Sequence, residues 1–123
     1  MIVMNIGIKS EKEIMDSFKE AFIAVQKRLP FKKREGVYFT SLAAARNFLT
    51  PKRIEILHVI KEKSPKSIYA LAKMTGRSFP RVLNDVELLT KHGLIKLPRK
   101  KHDSRRAILP SVNYDTINLW IPL

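Results

Sequence analysis

The sequence predicts an α+β fold that is mainly α, on three observations. Five segments carry apolar residues at helical spacing, and each opens on a Ser or Thr: Ser10, Ser41, Thr50, Ser67 and Ser78. Shorter stretches near the two ends, and on either side of a basic loop, read as strands. The chain has 123 residues, 45% hydrophobic and 28% charged, which suits one globular domain with an accessory element.

The elements follow in order. Ile2, Met4, Ile6 and Ile8 fall on one side of an N-terminal strand. Ser10 and Glu13 form a capping box. Behind it Ile14, Phe18, Ala21, Phe22, Val25 and Leu29 make one apolar helical stripe that Pro30 ends. Val37, Tyr38 and Phe39 read as a short strand. Residues 41–49 follow as a short helix with Leu42, Ala45, Phe48 and Leu49 inward. Thr50 and Pro51 start the next helix, since Pro in the first turn gives up only an N–H that has no helical partner. Its stripe is Ile54, Leu57 and Ile60, widened by Ile56 and Val59, and Ser64 and Pro65 stop it.

Ser67 caps a helix over residues 68–74, with Ile68, Leu71 and Ala72 inward. Thr75, Gly76 and Arg77 form a turn in which Gly76 takes the left-handed conformation that closes the helix. Ser78 caps a longer helix running to about His92, with Val82, Val86 and Leu89 at i, i+4 and i+7, and Gly93 ends it. Residues 94–97 and 106–109 read as a strand and its return. Residues 116–121 alternate as a last strand, able to pair with the first strand of its own or of a second chain.

Charge narrows the partner. The net charge is +13 at pH 7, which points to nucleic acid first and a membrane surface second. Residues 1–50 hold 9 basic and 5 acidic side chains, and residues 51–123 hold 15 and 6. The densest run is residues 96–106, with six basic residues and one Asp. A second basic cluster, residues 27–34, reads as a solvated linker. Cysteine is absent, which removes disulfides, thiol catalysis and Cys-based zinc sites and fits a cytoplasmic setting. No apolar run approaches the ~20 residues of a spanning helix, and the first eight residues lack the pattern of a signal peptide. His58, His92 and His102 show no metal-ligand spacing. His58 is expected to be half-exposed, and His92 to act as a cation in the last turn of its helix. No nucleophile triad, phosphate-binding loop or carboxylate pair is present, so neither an enzyme nor a cofactor is expected.

Two helices joined by a tight Gly-containing turn, then a strand, a basic loop and a returning strand, are the parts of a winged helix-turn-helix. The stretch from Leu49, Thr50, Pro51, Lys52 and Arg53 through Gly76, Arg77, Val82, Val86, Leu89, Gly93, Leu94 and Ile95 resembles MarR-like and ArsR-like prokaryotic transcriptional regulators. It is also similar to a group of small archaeal-type predicted regulators, which share the Thr50 to Arg53 opening and an ending like Tyr114, Asp115, Ile117, Ile121, Pro122 and Leu123.

The resemblance implies a homodimeric regulator of double-stranded DNA. Residues 1–40 are the expected strand-helix dimerisation arm, residues 41–112 the DNA-binding domain and residues 113–123 a C-terminal strand. The group's outward positions on the second helix are Ser78, Pro80, Arg81, Asn84 and Asp85, with Arg77 in the turn. Arg suits guanine and Asn suits adenine, so Arg81 and Asn84 are the expected base readers. Pro80 departs from the group, where a polar residue is commoner, and no base contact is expected from it. Ser78 and Arg77 are expected to flank the readers, and Arg99, Lys100, Lys101, Arg105 and Arg106 in the wing to touch phosphates. An alternative of another class is an antitoxin-like interaction protein that binds a partner protein and autoregulates its operon.

Overall fold

The computed structural model describes residues 1–28, 36–97 and 109–123. The order is β1 (Val3–Ile8), α1 (Glu11–Gln26), β2 (Val37–Phe39), α2 (Leu42–Phe48), α3 (Pro51–Lys63), α4 (Ile68–Thr75), α5 (Phe79–Lys91) and β3 (Thr116–Trp120). The fold is α+β and mainly helical. Residues 29–35, which include most of the second basic cluster, and residues 98–108, which include most of the densest basic run, lie outside the described residues.

Caps start the helices where the sequence places them. The hydroxyls of Ser10, Ser41, Thr50 and Ser67 accept the amides of Glu13, Ala44, Arg53 and Ala70 at 2.9–3.3 Å. The capping box at α1 differs from expectation, because the Ser10 hydroxyl donates to the Glu13 carboxylate at 3.3 Å. Gly76 and Gly93 are left-handed, at φ 66° and 83°. Each lets the next amide reach back past the helix end, Arg77 to Ala72 and Leu94 to Leu89.

The sheet has the order β2-β1-β3, and both pairings are parallel. The last strand therefore pairs with the first strand of its own chain, Val3 opposite Thr116 through Gly7 opposite Trp120. The two ends are also clamped. The Asp115 amide donates to the Ile2 carbonyl at 2.7 Å, and the Ile2 amide donates to the Asp115 carboxylate at 2.9 Å. That second bond, with Lys61 at 3.2 Å, holds the Asp115 carboxyl below the usual carboxylate range.

One core serves helices and sheet together. Ile6 of β1 is buried with Ile56 and Ile60 of α3, Leu71 of α4, and Val82, Val86 and Leu89 of α5. Leu94, Ile95 and Tyr114 join the same cluster, and Ile117 of β3 packs against it. The core thus draws on residues from before 40 to after 112. β1 is the central strand and sends Ile6 into that core.

Three details depart from the sequence reading. Ile54 is exposed, not inward: residues on a helix turn 100° apart, and it is Arg53 that faces α5. Leu42 is exposed as well. The strand expected over residues 94–97 reduces to one antiparallel bridge, Lys96 with Ser111, closed by two 2.9 Å bonds. The return strand expected over residues 106–109 lies, but for residue 109, outside the described residues.

α1 buries no residue. Its half-buried side is Ser17, Ala21 and Ala24, while Phe18, Phe22 and Val25 are 69%, 57% and 71% exposed. The bulky stripe is turned to solvent.

Tyr114 brings a phenol into the core. Its hydroxyl donates to the Leu94 carbonyl at 2.8 Å, and burial pushes the phenol up to about 12. Its stabilisation is complete below the unfolded value of 10.0 and is lost as pH rises through about 12. Tyr114→Phe should cost about 1–3 kcal/mol near neutral pH, because the Leu94 carbonyl loses its partner. Denaturant unfolding should show the gap between the two proteins narrowing across that alkaline window; a constant gap would contradict the assignment.

Candidate nucleic-acid interface

The candidate surface is built on α5. Its inward side is Val82, Asp85, Val86 and Leu89, at i, i+3, i+4 and i+7. Three of these are apolar, and the fourth is a buried carboxylate. Asp85 is satisfied by two arginines from other elements. The Nε of Arg53 donates to its Oδ1 at 3.1 Å, and Nη2 of Arg77 donates to its Oδ2 at 2.9 Å. The side chains are 17%, 15% and 11% exposed for Arg53, Arg77 and Asp85.

Arg53 reaches further. Its Nη1 donates at 3.0 Å to the carbonyls of Asn47 and Phe48, where α2 ends. One guanidinium therefore fastens the end of α2, the start of α3 and the middle of α5. Arg77 fixes the turn between α4 and α5 to the same carboxylate. Among the described residues its Nε and Nη1 have no acceptor. The triad carries one excess positive charge under the outer surface of α5.

This arrangement corrects two sequence expectations. Asp85 faces the core rather than solvent, and its ion pairs are with Arg53 and Arg77. Arg77 is folded inward onto Asp85 and is not presented beside the readers. The signal for Asp85 was available, since it stands on the apolar stripe of its helix. Nothing in the spacing named Arg53 as its partner.

The outer side of α5 holds the remaining expected residues. Ser78, Pro80, Arg81 and Asn84 are all exposed, and Arg81 and Asn84 are neighbours at i, i+3. Ser78 takes the N-cap position, but its hydroxyl makes no capping bond. Pro80 removes one of the amides that such a hydroxyl would accept. Among the described residues no carboxylate pairs with Arg81.

Beside the start of α5, Phe79 packs on Tyr69 of α4 with ring centres 6.4 Å apart, and Lys73 lies 4.8 Å over the Tyr69 ring. This exposed aromatic and cationic group was not singled out from the sequence. Tyr69 sits on the outer side of a short helix, where spacing alone gives no cue.

His92 ends α5 as its C-cap, and its ring packs edge-on against Phe48 at 4.6 Å. It also lies 5.8 Å from Phe39, so it belongs to an aromatic cluster. His58 is exposed, 3.6 Å from Glu62 one turn on. The expected phosphate contacts Arg99, Lys100, Lys101, Arg105 and Arg106 lie outside the described residues. Among the described residues no cluster of His, Asp or Glu has metal-site geometry. No described helix is long and apolar enough to cross a membrane.

What these features define is an α+β protein that presents the outer side of one helix, fixed from beneath by an ion triad. Residues 48–119, more than half of the chain, match the HVO_A0114 family, and the protein belongs to that family. The match includes Arg53, Arg77 and Asp85 and excludes β1 and α1. No curated protein matches the chain.

Removing the Asp85 carboxylate strands two largely buried guanidinium groups. Asp85→Ala should therefore destabilise the protein by about 3–5 kcal/mol in denaturant unfolding. A cost below about 1 kcal/mol, the range of an exposed ion pair, would contradict the role given to the triad.

Proposed function

We propose that the protein is a dimeric, sequence-specific DNA-binding transcriptional regulator with a winged helix-turn-helix fold. The observation that carries this reading is the exposed pair Arg81 and Asn84 on a helix whose opposite side is locked by Val82, Val86, Leu89 and the Asp85 triad. Base readout needs side chains that reach a groove edge from a rigid element, and α5 meets that need.

In this reading α4 and α5 are the two helices of the motif, and the first turns of α5 enter the major groove. Arg81 reads guanine, Asn84 reads adenine, and Ser78, freed from capping, reaches a phosphate. The excess charge of the triad raises the potential under this surface. The basic loop, with Arg99, Lys100, Lys101, Arg105 and Arg106, lies on phosphates as a wing. The Lys96–Ser111 bridge ties the chain on either side of it. The net charge of +13 supplies the long-range attraction.

The dimer in this proposal uses α1. β3 is already paired within its own chain, whereas Ile14, Met15, Phe18, Phe22 and Val25 are exposed on one helix. A contiguous apolar patch of this kind marks an interaction surface. Because β1 holds Ile6 in the core, surface substitutions test the dimer better than removal of the N-terminal segment.

Three outcomes follow. If a dimer neutralises about 6–10 phosphates, log K against log salt should fall with a slope of about −5 to −9, and a slope near zero would exclude nucleic acid as the main partner. Arg81→Ala should cost about 1–3 kcal/mol at one base pair per half-site in a binding assay over single-base operator variants. An equal loss on every sequence would make Arg81 a phosphate contact. Phe18→Lys with Phe22→Lys should turn the dimer into a folded monomer in sedimentation and sharply reduce DNA affinity. A wild-type chain that sediments as a monomer at micromolar concentration would defeat the dimer.

A further inference from the structure

The sheet has a second face, away from the helical core, and its composition is unlike a plain solvated surface. Side chains alternate along a strand, so Ile6 and Ile8 turn toward the core while Asn5, Gly7 and Lys9 turn away. The register sets Asn118 opposite Asn5, and both Tyr38 and Trp120 opposite Gly7. These six residues, with Ile6 and Leu119 between them on the same strands, line a cavity of about 400 Å³, within the usual range of small-ligand sites.

Three features mark it as a built site. Gly7 is its floor: a Cβ there would meet the Tyr38 ring at 2.9 Å, with Trp120 at 3.5 Å. Lys9 is only 8% exposed. Its ammonium lies 3.9 Å over the Tyr38 ring, and among the described residues no carboxylate pairs with it. Its stem is buried while the ammonium borders the cavity, where it can meet an anion and keep its contact with the ring. Finally, all three strands are parallel, so their carboxyl ends share one edge. Gly7, Lys9 and Trp120 stand at that edge, where β1 leads through α1 to β2 on one side and β3 flanks it on the other. Open parallel sheets bind ligands there.

We propose that this face binds a small planar organic anion, its carboxylate on Lys9 and its flat body laid against the Tyr38 and Trp120 rings, with the Asn5 and Asn118 amides beside it. The Lys9 ammonium meets the negative group while keeping its contact with the Tyr38 ring. The aromatic walls take the flat body, and the two carboxamides supply donors and acceptors for polar substituents. The proposal is independent of the DNA-binding reading, and its test contains no DNA.

The test uses the full chain, with naphthoate and its neutral isostere naphthamide as probes. Calorimetry gives the affinities. The indole N–H of Trp120, the only tryptophan, gives a single reporter signal in an amide-correlation NMR spectrum. Naphthoate should bind at least about tenfold more tightly than naphthamide and shift the signals of Asn5, Gly7, Asn118 and Trp120. Lys9→Met, which keeps the alkyl stem, should erase that preference. Asn118→Asp, at an exposed position, should weaken naphthoate and spare naphthamide, which guards against a Lys9 variant that folds poorly. The proposal is overturned if naphthoate fails to bind, if both variants keep the preference, or if the shifts fall on the apolar stripe of α1. Trp120 shifts that follow protein concentration instead of naphthoate would assign the face to a second copy of the chain and equally overturn it.

Discussion

The carboxylate of Asp85 is the point on which the helical part of the structure turns. It lies on the core side of α5, among Val82, Val86 and Leu89, where an unpaired charge would not be tolerated. Arg53 and Arg77 make it tolerable, and in doing so they fix the α4–α5 turn and the α2–α3 junction against one helix. Hydrophobic packing brings these elements together without direction; the forked guanidinium groups add geometry. The outer side of α5, with Arg81 and Asn84, is therefore held in one orientation by contacts made on its inner side.

The sheet solves a different problem. Three short parallel strands would be a weak element alone. β1 runs between β2 and β3 and sends Ile6 into the helical core, so sheet and helices are stabilised together. The Ile2–Asp115 clamp and the Tyr114–Leu94 bond anchor the last strand on both sides of the same junction. This sharing leaves the far face of the sheet and the bulky side of α1 as surfaces that the fold itself does not use. In the proposals above these surfaces take a small anion and a second copy of the chain, respectively.

Local chemistry was legible in the sequence, and partners across space were not. Ser41, Thr50 and Ser67 each cap the helix they announce, because a cap involves residues only three apart. The left-handed glycines were legible for the same reason. A two-residue period identified the terminal strands but could not tell which neighbour each would choose, and their parallel pairing joins opposite ends of the chain. The stripe of α1 was read correctly as apolar, yet periodicity does not say which side meets the rest of the molecule. The side less exposed in the chain is that of Ser17, Ala21 and Ala24. Arg77 and Asp85 were misread as outward residues. The repeat of 82, 85, 86 and 89 already put Asp85 inside, and a buried acid implies a basic partner. At the surface, Ser78, Arg81 and Asn84 are exposed.

The most direct test of the account is selection of bound fragments from a genomic library by the purified full-length protein, followed by footprinting of the enriched sequences. The account predicts a recurring inverted repeat with half-sites about one helical turn apart, each protected over the groove that α5 would enter. Recovery of fragments without a shared sequence, or no enrichment over the input, would contradict it.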